Sequence, residues 1–285
     1  MMVAVASRKG SPGATTVASL LAAHWQRGAD KRLILEVDPS GGTLAARWSG
    51  AHGLTWEPGL LDLSSIRRDL DHDVLDQVSQ PLDEGVAVIP SPPSPDQIGR
   101  GIERLGDRVK RLAELDGLTV FADVGRLGVL SPALSVARAA VLTLIVCRPS
   151  LEQIQGLIPA VVELKAAGCV LGLVTIGDGP YDPNEVADIA GIELLGVIAY
   201  APKTAAVFDH DGLMAGRGFW RSAMSRGASE TAASVRDRAE QLILALQGFA
   251  PPSFPGHHHG EGSHRGLDGS GRTGERNGIA SEIQP

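Results

Sequence analysis

The residues best suited to chemistry fall in three short stretches, "SRKGSPGATT" (7–16), "LILEVDPSGG" (33–42) and "LTVFADVGRLG" (118–128). The first couples two glycines to two threonines. Gly10 and Gly13 permit a tight turn and a close backbone approach. Thr15 and Thr16 open a helical pattern, where a hydroxyl can hold Mg²⁺ and free N–H groups can face a phosphate. The usual phosphate-binding pattern, G-x-x-x-x-G-K-[ST], places a lysine after its second glycine. Here Ala14 stands in the lysine's place and Arg8 in that of the first glycine, so the strict pattern is not matched. An ordinary strand–helix turn also draws on Gly, Ser and Pro. On the loop alone the two readings are even.

Asp38 and Asp123 shift the balance. Each closes an apolar run, and in an open α/β sheet the C-terminal strand ends line the ligand crevice. A Mg²⁺–nucleotide site places carboxylates there to position the metal's waters and the attacking water. One aspartate after a strand is common loop chemistry; two beside a glycine loop point to a site. The candidate metal set is Thr15, Asp38 and Asp123.

The elements that must position these groups alternate along the first 250 residues. Short apolar runs occur at 3–7, 32–38, 86–91, 118–124, 141–147, 170–176 and 194–201. They are nearly continuous, as expected of parallel strands covered on both faces. Between them lie helical repeats: Val17, Leu20, Leu21 and Trp25; Ile98, Ile102, Leu105, Val109 and Leu112; Leu151, Ile154, Leu157, Ile158 and Val161. A last helix carries Val235, Ala239, Leu242, Ile243 and Leu246. This alternation predicts an α/β domain over 1–250 with a doubly wound, mostly parallel sheet and helices on both faces. Residues 50–84 predict short helices, and "SPPSP" (91–95) a rigid loop. From Pro251 to Pro285 the chain is rich in Gly, Pro and His and predicts a disordered tail. Its His257, His258, His259 and His264 read as incidental rather than as a metal site.

Composition narrows the function classes. The 285 residues carry a net charge of −7, which argues against phosphate-driven nucleic-acid binding as the main activity. Cys147 and Cys169, the only cysteines, lie in apolar runs and read as buried thiols. No apolar run reaches signal-peptide or membrane-spanning length. The polar face of the last helix mixes Glu230, Asp237 and Glu240 with Arg236 and Arg238, which reads as a packed helix, not a lipid-seeking one. The expectation is a cytoplasmic protein without direct membrane insertion.

At these motifs the sequence resembles the ParA/MinD family of deviant Walker-A ATPases. The family loop K-G-G-V-G-K-T-[ST] aligns with "KGSPGATT" from Lys9 to Thr16. Lys9 falls on the signature lysine, which in the family reaches the partner subunit's phosphates in an ATP-bound dimer. Gly10, Gly13, Thr15 and Thr16 match as well. "VDPSGG" places Asp38 on the aspartate linked to hydrolysis and switching, and "VFADVG" places Asp123 on the Walker-B aspartate. "VAVIPSPPS" and "LGVIAYAPKTAAVFDHDG" are similar to the third-strand ending and to the late strand with its helix. The likeness spans roughly 1–247 and implies the P-loop NTPase fold of the ParA/MinD (SIMIBI) type.

The departures shape the implied function. Ser11 and Pro12 replace a glycine and a valine, and Pro12 has no N–H to donate. Ala14 removes a charge-assisted phosphate contact worth a few kcal/mol. "LVTIGDGPYDP" lacks the family's asparagine after the strand. Arg8 and Arg126 are candidate substitute cations, with residual ATP binding expected to depend on Lys9 and one of them. The resemblance implies weak binding of ATP with Mg²⁺, a homodimer and little hydrolysis. The role implied is that of a positioning or assembly factor for pilus, secretion or partitioning machinery, with TadZ/CpaE-like proteins the nearest subgroup. The alternatives are a nucleotide-free pseudo-ATPase scaffold that binds proteins, or an active partitioning ATPase with substitute cations.

Overall fold

Seven continuous apolar runs become parallel strands because helices cover both faces of the sheet they form. In the computed structural model, which describes residues 1–10, 12–25, 30–83 and 85–248, the chain begins β1 (Met2–Ser7), α1 (Ala14–His24), β2 (Lys31–Glu36), α2 (Leu44–His52). It continues α3 (Leu60–Ser65), α4 (His72–Val78), β3 (Gln80–Asp83), β4 (Val86–Ile89), α5 (Pro95–Leu105), α6 (Arg108–Glu114) and β5 (Leu118–Arg126). Then come α7 (Leu134–Ala139), β6 (Leu142–Cys147), α8 (Leu151–Ala166), β7 (Leu171–Ile176), α9 (Pro183–Ala190) and β8 (Glu193–Ile198). α10 (Pro202–Asp211), α11 (Arg217–Trp220) and α12 (Ala223–Leu246) complete it. Ser11 and the tail 251–285, with its four histidines, lie outside the described residues.

The eight strands are ordered β3-β4-β2-β5-β1-β6-β7-β8. Every neighbouring pair is parallel except β3 with β4. The chain winds outward from β1 to one edge, returns through β5 and winds to the other edge, which is the doubly wound arrangement. Side-chain alternation along β1 divides the core. Met2, Ala4 and Ala6 join the layer of α3 to α9, and Val3 and Val5 join the layer of α1, α2 and α10 to α12. Cys147 and Cys169 are buried free thiols, and burial pushes the Cys147 pKa up to about 12. Among the described residues no helix is long and apolar enough to cross a membrane.

Three details differ from the sequence expectation. "QPLD" in the 50–84 segment forms β3, an antiparallel edge strand, after the two expected short helices. The helical repeat from Ile98 to Leu112 is cut into two helices at Gly106, whose positive φ of 49° ends α5. α12 begins at Ala223, with the Ser222 side chain accepting from Ser225 N–H, and its inner face is made of small residues. A Cβ on Gly227 would lie 2.7 Å from the Val197 carbonyl, and one on Gly196 2.0 Å from Thr231 Oγ1. Helix and strand thus meet almost backbone to backbone. At the far end Leu246, expected on the packed stripe, is 83% exposed.

One buried carboxylate organises the edge where the strands end. Glu36, the last residue of β2, accepts from Thr43 N–H at 2.6 Å and Leu44 N–H at 3.0 Å through Oε1. Its Oε2 accepts from Ser91 N–H at 2.9 Å, and its backbone carbonyl accepts from the Ser91 hydroxyl. Burial raises its pKa, while those donors favour the ionised form. Glu36 therefore caps α2 from another strand, since Thr43 makes no side-chain cap there. Glu36→Ala should cost about 3 kcal/mol by orphaning these donors. Glu36→Gln, which keeps the Oε1 acceptor but turns an amide toward Ser91 N–H, should cost about 1–2 kcal/mol. Urea unfolding of both variants checks the order.

Candidate functional site

β1 delivers the glycine loop to the centre of the sheet, and α1 starts directly after it. Leu127 N–H donates to the Ser7 carbonyl at 2.9 Å, so the end of β1 is tied to the residue after β5. Gly13 is the N-cap of α1 at φ 108° and ψ 34°, a backbone conformation that favours glycine. As a glycine, the N-cap offers no side-chain acceptor to this helix, whose first-turn N–H groups have no intrahelical acceptor. They belong to Ala14, Thr15 and Thr16.

The two aspartates meet this helix start from adjacent strands. Asp123 on β5 is in register with Val5 of β1 and Glu36 of β2. It is fully buried; its Oδ1 accepts from Gly125 N–H at 3.1 Å, and its Oδ2 has no hydrogen-bond partner among the described residues. Burial pushes its pKa up to about 7. The Thr15 hydroxyl and Gly125 N–H oppose that shift, and the charges of Glu36 and Asp38 reinforce it. Asp38 turns the chain after β2, its Oδ1 accepting from Ser40 N–H at 2.8 Å. It lies against Gly125, where a Cβ would fall 1.9 Å from the Asp38 Cγ and φ is 58°. Glycine is thus required there twice over.

A cavity of about 320 Å³ opens over these groups, lined by Gly13, Ala14, Thr15, Thr16, Asp38, Gly125 and Arg126, with Arg47 from α2. A second cavity of about 310 Å³ shares Gly13, Thr16 and Arg47 with it. Its far wall is Ile176, Ile198, Tyr200 and Pro202, and the Arg148 guanidinium lies 4.5 Å from the Tyr200 ring centroid. A polar compartment at a helix N-terminus therefore continues into a slot with apolar and aromatic walls.

The structure brings Gly13, Thr15, Thr16, Asp38 and Arg126 together around the cavity. Asp123 is fully buried beside Thr15 and Asp38 without lining it, and three further predicted residues lie away from it. Gly10 (φ 76°) sits against Gln153. Arg8 turns away, its Nη1 donating to the Leu127 carbonyl at 3.3 Å. Lys9 pairs with Glu152 at 3.0 Å on the surface, the side chains being 55% and 71% exposed. Sequence reasoning missed Glu36 and Arg47. A charged residue inside the run "LILEV" was a usable signal for Glu36, whereas nothing near Arg47 in "LAARWSG" marks it.

The donor chemistry suits a hard divalent cation at Thr15, Asp38 and Asp123. Oδ2 of Asp123 is a buried acceptor without a hydrogen-bond partner among the described residues. Among the described residues no three His, Cys, Asp or Glu side chains form a group that could hold a metal ion by themselves.

A parallel sheet whose first strand is followed by a glycine-capped helix, with an aspartate on the adjacent strand, is the architecture of P-loop proteins. No protein-family model and no curated protein sequence matches the chain. Solved structures do. A ParA family ATPase from Chlorobium tepidum superposes with TM-score 0.68 at 18% identity, over 81% of this chain and 97% of that one. The cell-division ATPase MinD of Pyrococcus furiosus gives 0.66 at 18%, over 83% and 98%. A plasmid partition protein from Borrelia burgdorferi, bound to AMPPNP, gives 0.64 at 13%, over 83% and 98%. The chain has the fold of ParA- and MinD-type ATPases.

Because the Asp123 pKa is raised on folding, its contribution to stability is full below about pH 4 and is lost as the pH rises through about 7. Asp123→Asn should therefore be more stable than wild type at pH 8 without divalent cation, by on the order of 1–3 kcal/mol. The advantage should vanish at pH 4. Denaturant titrations at the two pH values measure it.

Proposed function

We propose that this protein binds ATP with Mg²⁺ weakly and acts as a dimerising positioning or assembly factor with little hydrolysis. The observation that carries the reading is the Asp123 Oδ2, without a hydrogen-bond partner among the described residues and buried beside Thr15 at the glycine-capped start of α1. A buried carboxyl whose oxygen lacks a donor keeps its proton unless something supplies positive charge. Thr15, Asp38 and Asp123 would hold Mg²⁺, which supplies charge compensation to phosphate oxygens when bound. The α1 N-terminus would receive the phosphates. The adjoining Tyr200 slot supports a nucleotide over a free anion, because it gives a planar base an aromatic and apolar wall.

Weak turnover follows from position 14. Ala14 supplies no charge, and transition-state charge on transferring phosphoryl groups is where such a cation matters most. Lys9 supports the dimer reading. Its exposed pair with Glu152 contributes roughly 1 kcal/mol or less, so a partner subunit's phosphate can displace the carboxylate. The machinery served is a protein assembly of the pilus, secretion or partitioning kind, with protein contacts as the output.

Calorimetric titration with ATP, with and without Mg²⁺, at 100 µM protein (about the concentration a weak dimer needs) tests the reading. Saturable micromolar to sub-millimolar binding that strengthens with Mg²⁺ and is lost in Asp38→Ala is expected. Absence of heat to millimolar ATP from folded protein would replace this reading with that of a nucleotide-free scaffold.

A further inference from the structure

Ala14 leaves the phosphate compartment without the cation its loop normally carries, and the two loop cations point elsewhere. Arg8 is spent on the Leu127 carbonyl and Lys9 on Glu152. A third cation arrives from a different element. Arg47, one turn into α2, lines both cavities. Its Nη1 donates to Asp209 Oδ1 at 3.0 Å. The same oxygen accepts from the Thr16 hydroxyl at 3.2 Å. One carboxylate oxygen of α10 thus stands between the Arg47 guanidinium and the third residue of α1. The pair is neither deeply buried nor free in solvent, the side chains being 33% and 39% exposed.

We propose that Arg47 is the phosphate-binding cation of this site, and that Asp209 occupies it until a polyphosphate displaces the carboxylate. The proposal rests on the phosphate half of the nucleotide reading above. A guanidinium suits this role because it presents five donors in a planar fork and takes two phosphate oxygens side by side. Asp209 offers one oxygen to Arg47 and shares it with Thr16, so a phosphate with several free oxygens competes well for the same donors. Exchange also releases the Thr16 hydroxyl toward the compartment. Arg126 lines the polar cavity alone and is not part of this exchange.

Titration of the full chain with ATP and with inorganic tripolyphosphate, both with Mg²⁺, tests this in Arg47→Ala, Asp209→Asn and Arg126→Ala. Arg47→Ala should weaken both ligands about 10- to 100-fold, and Arg126→Ala by less. Asp209→Asn keeps an acceptor for Thr16 but removes the competing charge, so it should tighten both ligands several-fold, which a damaged fold cannot do. Wild-type binding that survives Arg47→Ala unchanged, or falls more in Arg126→Ala, overturns the role of Arg47 and leaves the nucleotide reading standing. Weaker or unchanged binding in Asp209→Asn overturns the exchange. Tripolyphosphate bound as tightly as ATP, and lost with Arg47, overturns the nucleotide reading and keeps Arg47. No binding of either ligand to wild type removes both.

Discussion

The end of the sheet that carries the cavity depends on Glu36 staying buried and fully hydrogen-bonded. A carboxylate in a sheet interior is tolerated only when its oxygens are satisfied. Glu36 is satisfied by N–H groups from two separate segments, the start of α2 and the chain after β4. The β2–α2 loop is thereby closed at both ends, because Glu36 is the last residue of the strand and also the acceptor for the helix's first N–H groups. Inside that closed loop Asp38 is pressed onto Gly125. One turn past its far end, Arg47 is carried to the rim of the polar cavity. Removing the carboxylate would loosen both at once.

The sheet was legible because its strands are buried on two faces, which leaves an unbroken apolar run that a helix or loop does not need. All seven such runs are strands. What escaped has a physical reason in each case. β3 is an edge strand of four residues containing a proline and an aspartate, and such edges carry little pattern of their own. The break at Gly106 leaves the apolar period intact across two helices, so periodicity alone cannot reveal it. The first half of α12 packs through Gly227 and Thr231 against β8. Close approach selects small side chains and erases the hydrophobic stripe that marks a helix face.

Asp38 and Asp123 stood out in the sequence as polar residues terminating apolar runs, and the fold does bring them to one place with Thr15. Asp123 and Glu36 also show the limit of that signal. They are register partners on adjacent strands, a relation that depends on β5 entering the sheet between β1 and β2, and strand order cannot be read from local pattern. Arg47 is harder still. Its significance comes from Asp209, 162 residues away, and from the turn of α10 that aims Asp209 at Thr16. No local feature of "LAARWSG" encodes that.

Charge decides how such a site can work without its lysine. Glu36, Asp38 and Asp123 share one end of the sheet; burial, reinforced by the charges of the other two, pushes the Asp123 pKa up to about 7. A polyphosphate adds negative charge to the same compartment, where like unit charges 4 Å apart repel by roughly 4 kcal/mol at an effective dielectric constant near 20. The α1 N-terminus offsets only about half a charge. A divalent cation offsets more, but in the proposed reading it needs Asp123 ionised, so its contribution comes with release of a proton and grows as the pH rises. The proposed exchange at Arg47, by contrast, releases no proton from Asp123. In the proposed reading the two sources of positive charge divide the site: the Asp123 end answers to pH and metal, and the Arg47 end to whether phosphate or Asp209 holds it.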